Sequence, residues 1–164
     1  MSLTFKVLSP ALVLIGLIAG MVVDKTLFLD YTRRQDDILD NIQEAVTWLG
    51  LRDIAAPTPL AQAMTACVAE SAWTVDMLRP ALAGSIKLVL GGRGARGDVK
   101  GYIHDIRVQH HKVVKAKRSL IASAHAFGLD FGHVYQILRF VEYVYRASHS
   151  AERCADLLRA MMAR

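Results

Sequence analysis

The chain has 164 residues, 53% of them hydrophobic, with a formal net charge of +5 and two cysteines. Its pI near 9.4 favours an anionic neighbour, whether phospholipid headgroups, an acidic protein face or nucleic acid. Cys67 and Cys154 lie too far apart for a paired metal spacing, which excludes a cysteine-based metal module; they read as free buried thiols in the cytoplasm or as one disulfide outside it.

The first element is the uncharged run from Val7 to Val23, between Lys6 and Asp24-Lys25. As a helix it reaches roughly 26 Å, close to the ~30 Å hydrocarbon core of a bilayer. Leu3 to Phe5 can lengthen it if Lys6 snorkels, and Phe28 and Tyr31 suit the interface beyond its far end. A cleaved signal would need alternating small residues, but Ala19-Gly20 runs into Met21-Val22-Val23, so a retained single-pass anchor over residues 1–25 is expected. Gly16 and Gly20 form a GxxxG pair, which suggests helix pairing and a homodimer in the membrane. Lys6 stands alone before the run, whereas Lys25, Arg33 and Arg34 follow it, so the C-terminal domain is expected on the cytoplasmic face.

The remaining roughly 140 residues suffice for one domain with a core. Residues 26–55 read as an amphipathic connecting helix, helical from about Thr32 to Leu51. Its apolar face is Ile38, Leu39, Ile42, Val46 and Leu49, opposite Asp36, Asp37, Asp40 and Glu44. Ala56-Pro57-Thr58-Pro59 breaks that pattern and opens a basic helical domain over 56–164, with Thr58 expected as N-cap. Leu60, Met64, Cys67, Val68 and Val75 continue an apolar face to Pro80, and Ala81 to Leu90 reads as a further helix. Asp98 is expected to cap a long helix to about Phe127. After Gly128, Asp130 caps the next, with Phe131, Val134, Leu138, Val141 and Tyr145 as its apolar stripe. Arg139, Glu142 and Arg146 are spaced for ion pairs, and Ser148-His149-Ser150 reads as the start of a last short helix. The expected fold is all-α: one transmembrane helix, then a compact multi-helix domain.

The long helix carries the main surface signal. At 100° per residue, Lys100, His104, Arg107, His111, Lys115 and Arg118 share an arc of about 80°, while Val99, Ile103, Ile106, Val113 and Leu120 take another face. A continuous cationic stripe is expected to contact headgroups or an acidic partner, more strongly at acid pH because of its histidines. Gly92 to Gly97 spells GxGxxG, but no second strand and no ribose-binding acid accompany it. It reads as a helix connection in which Arg93 and Arg96 can meet a phosphate or headgroup.

His110 points to the apolar side of the same helix and reads as a hydrogen-bonded core residue; His125, His133 and His149 stand singly. With no HExxH, no Cys-His spacing and no nucleophile elbow, neither a metal, a cofactor nor a catalytic centre is expected. The glycine-bearing anchor ending at Asp24, followed by a helical domain with Ala122-Ser123-Ala124-His125-Ala126-Phe127-Gly128, resembles membrane-anchored TerB-type helical domains. The acids expected after that glycine are largely absent, as is a His-Pro-Asp tripeptide. The residues thus suggest a membrane-anchored, non-catalytic scaffold, adaptor or assembly component. A membrane-tethered nucleic-acid-binding protein is an alternative, weakened by few aromatics on the stripe; an exported binding or immunity-type protein with a cleaved signal is another.

Overall fold

A computed structural model describes residues 24–54, 56–89 and 96–163, all helical or in short connections. Among the described residues five helices follow in order: α1 (Lys25–Gly50), α2 (Thr58–Asp76), α3 (Leu78–Val89), α4 (Arg96–Ala126) and α5 (Phe131–Met162). The domain is all-α, as expected. The apolar run 7–23, with Gly16 and Gly20, lies outside the described residues, among which no helix is long and apolar enough to cross a membrane.

Local chemistry sets most boundaries. Asp24 caps α1, its Oδ1 accepting from the N–H of Thr26 at 2.9 Å and of Leu27 at 3.3 Å, so the helix starts well before Thr32. Thr58 is the first residue of α2 rather than its cap: Pro57 holds the N-cap position and provides no side-chain hydrogen bond. Pro80 sits in the first turn of α3, where a missing N–H costs nothing. Asp98 lies inside the first turn of α4, where it complements the helix dipole, and the helix begins two residues earlier at Arg96. Gly128 turns the chain at φ 64, and Asp130 caps α5 by accepting from the N–H of His133.

The 32-residue α5 is the central strut, and it does not restart at Ser148. Ser148 and Ser150 are buried in mid-helix, because serine costs a helix only a few tenths of a kcal/mol and its small side chain lets neighbours approach. Against one side of α5 lies α1; against the others lie α2, α3 and α4. One apolar cluster joins Tyr31, Ile38, Leu78, Val99, Ile103, Ile106 and Leu158, with Ala147, Ala151 and Ala155 at one-turn spacing along α5. The second joins Leu60, Met64, Leu120, Ile137, Phe140 and Val141. Cys154 belongs to the first and Cys67 to the second; both are free and buried, so the disulfide of the exported alternative does not form.

The expected packing face of α1 needs correction. Its buried residues are Tyr31, Ile38 and Ala45, a seam at seven-residue spacing against α5. Leu39 and Val46 are each 64% exposed, and Ile42 and Leu49 are exposed too. An arc of apolar residues is wider than one helix contact, and α5 covers only its edge. On α2, Val68 is likewise exposed, while Ser71 and Thr74 take the buried positions. On α5, Phe131 stands out at 83% exposure, leaving Val134 and Val141 to make the contacts expected of that stripe.

Candidate anion-binding face

Because Val99, Ile103, Ile106, Val113 and Leu120 are fully or almost fully buried, α4 is held in one rotational setting. That setting turns Lys100, His104, His111, Lys115 and Arg118 to solvent. Among the described residues no carboxylate lies within ion-pair distance of any of the five. Arg107 departs from the expected stripe: it is half-buried and paired with Asp156 of α5, so its charge is matched within the chain. Arg96 is exposed at the start of α4, whereas Arg93 lies outside the described residues.

Two features flanking this face come from other helices and had no signal in the α4 sequence. Trp73 of α2 is 58% exposed, and the Lys112 ammonium sits 5.7 Å from its ring centroid. Lys117 turns away from the stripe, donating to Glu142 at 2.5 Å and lying 4.0 Å from the Tyr145 ring centroid. Glu142 also accepts from Arg146 at 3.0 Å. Burial alone would push its carboxyl up, but the hydrogen bonds and charges of Lys117 and Arg146 hold it below the ordinary range. Arg139 does not join this network; it donates to the Tyr143 hydroxyl and stacks over Trp48.

Beneath the stripe, His110 is buried, with Nδ1 2.9 Å from Ser148 Oγ, as expected of a core histidine. Desolvation lowers its pKa, against the attraction of Glu152. His149, which stands alone in sequence, comes close to it, the two rings being 5.5 Å apart. Glu152 Oε2 lies 3.5 Å from His110 Nε2 and 3.3 Å from His149 Nδ1. The sequence leaves His149 standing singly; helix packing brings it and Glu152 to His110.

Comparison with protein families, with characterised proteins and with solved structures finds no match, and the TerB-type resemblance gains no support from them.

Proposed function

We propose that this chain is a membrane-anchored, non-catalytic helical adaptor whose α4 face rests on anionic headgroups. One observation carries the reading: five basic or titratable side chains in register, exposed and, among the described residues, with no carboxylate within ion-pair distance. From Lys100 to Arg118 they extend about 27 Å along the helix, a length suited to lying flat on a surface. Each full cation near an anionic leaflet contributes about 1 kcal/mol, fading within a Debye length of ~8 Å. Lys100, Lys115 and Arg118 together supply only ~3 kcal/mol by that measure, enough to orient a tethered domain and too little to recruit a free one. The apolar run from Val7 to Val23 would provide the tether, and Gly16 and Gly20 a contact for pairing two copies. Trp73 beside the stripe suits the headgroup layer, where an indole keeps one end wet. The exposed Leu39, Ile42, Val46 and Leu49 on α1 support a role in protein assembly, since a contiguous apolar stripe on a surface commonly meets another protein.

Lysine footprinting tests this reading on the full chain reconstituted into vesicles. Amine modification of Lys100 and Lys115 should drop on passing from neutral to anionic lipid and recover at high salt, while Lys87 of α3 reacts equally in both. Equal modification of all three in both lipids would defeat the headgroup reading. Protection by added nucleic acid in neutral vesicles would replace it with the nucleic-acid alternative.

A further inference from the structure

We propose that His110, His149 and Glu152 form a binding site for one divalent transition-metal ion, zinc being the best match to the donor set. The three ligand atoms, His110 Nε2, His149 Nδ1 and Glu152 Oε2, lie within 4.8 Å of one another. A tetrahedral ion with bonds of ~2.0–2.1 Å places its ligands about 3.3–3.4 Å apart along each edge. Two of the three edges here measure 3.5 Å and 3.3 Å. Two ligands come from successive turns of α5 and the third from α4, so the ion would clip the two helices together.

The protonation pattern also calls for a cation. When His110 Nδ1–H donates to Ser148 Oγ, the neutral ring presents the bare lone pair of Nε2 to the carboxylate oxygen at 3.5 Å. His149 Nδ1 is buried and has no hydrogen-bond partner, although the same carboxylate oxygen is near. Three lone pairs thus converge with no well-aligned proton between them, an arrangement that a metal ion relieves. Desolvation of His110 further favours its neutral, ligating form. Ser148, fully buried, plays the outer partner that fixes ring orientation and tautomer in metal-bound histidines. The His149 side chain is 42% exposed although its Nδ1 is buried, and Glu152 is 21% exposed, so the site lies near the surface; its fourth ligand would be water or a partner's side chain. The rival arrangement is a proton on His110 Nε2 donated to Glu152, with no metal at all.

The test uses the full chain in detergent, chelator-treated and free of affinity tag. Zinc chloride titrated calorimetrically should bind at one equivalent, with protons released. Cobalt(II) should give visible absorption of tetrahedral form without thiolate charge transfer. His149→Gln and Glu152→Gln, both at the solvent side, should each weaken zinc at least ~tenfold with the circular dichroism spectrum unchanged, and Ser148→Ala should weaken it by about 10–100-fold. Absence of zinc binding by the folded wild type would establish the proton arrangement and overturn the site. Binding of undiminished affinity in both the His149 and Glu152 variants would overturn it equally, by assigning the ion to the surface histidines.

Discussion

Gln136 offers the sharpest test of how α1 is held. It is buried on α5, and its Nε2 donates to the carbonyls of Trp48 at 2.8 Å, Arg52 at 3.0 Å and Leu49 at 3.3 Å. The end of α1 has no glycine cap and no basic residue in its last turn, so this amide serves as its C-cap from another helix. Gln136→Met keeps the length of the side chain and removes the donors. Trp48 is half-buried whereas Leu49 and Arg52 are exposed, so the loss is expected to fall chiefly on the Trp48 carbonyl, which accepts the shortest of the three bonds. Orphaning a buried group costs about 1–3 kcal/mol and each exchanged bond about 1, while loss of the unpartnered Gln136 Oε1 returns part of that. The net expectation is a loss of roughly 2–3 kcal/mol, or about 5–10 °C in Tm for a domain of this size.

Thermal unfolding by circular dichroism gives the total, and native-state hydrogen exchange should localise the loss to the last turns of α1. Gln136→Glu adds a sign. A carboxylate facing three carbonyl oxygens is held above the ordinary carboxyl pKa of ~4.3. Its stability is therefore complete below that value and falls as pH rises through the raised pKa, so this variant should be worse than Met at neutral pH and approach it in acid. A Met variant that melts with the wild type, or a Glu variant that matches Met at neutral pH, would refute the cross-helix cap.

Three further outcomes follow from the packing. His110 is buried neutral, with a lowered pKa caused chiefly by desolvation. In chelator, stability should be complete above the ordinary value of ~6.5 and decline as pH falls below it, because the unfolded chain then takes up a proton the fold refuses; His110→Gln should flatten that slope in denaturant titrations. Ile38→Ala should cost about 2–4 kcal/mol, whereas Val46→Ala, on the solvent side of α1, should stay within ~0.5 kcal/mol; equal losses in urea unfolding would restore the apolar face expected from sequence. Burial pushes the Cys67 thiol up to about 11 and the Cys154 thiol to about 12. Intact-mass measurement should accordingly find both unmodified by iodoacetamide at neutral pH until denaturant is added.

How much of this was legible in sequence depended on whether the signal ran along one helix or across two. The cationic stripe was readable because α4 carries both the buried Val99, Ile103, Ile106 and Val113 and the exposed residues opposite, all governed by one period. On α1 the same periodicity misled. Ile38 to Leu49 form an apolar arc, but Tyr31 and Ala45 decide which edge of it α5 covers, and that depends on the partner's surface. Arg107 looked like any other member of the stripe until α5 brought Asp156 to it. The His110–His149–Glu152 group was invisible for the same reason: Ser148 and its neighbours lie 38 positions from His110, and only helix packing closes that distance. Ser148-His149-Ser150 reads as a helix start because serines favour caps, yet both serines are buried in mid-helix, and Ser148 Oγ lies 2.9 Å from His110 Nδ1 of α4.

Trp73 gives the most direct reading of whether the α4 face meets the bilayer. The chain has two tryptophans, so with Trp48→Phe the remaining fluorescence reports on Trp73 alone. In vesicles containing lipids brominated near the headgroup, Trp73 should be strongly quenched in anionic membranes. Quenching should be weak in neutral ones, and the difference should vanish at high salt or in Lys115→Glu/Arg118→Glu. Quenching independent of lipid charge, salt and these substitutions would contradict a domain oriented on the membrane by its cationic face.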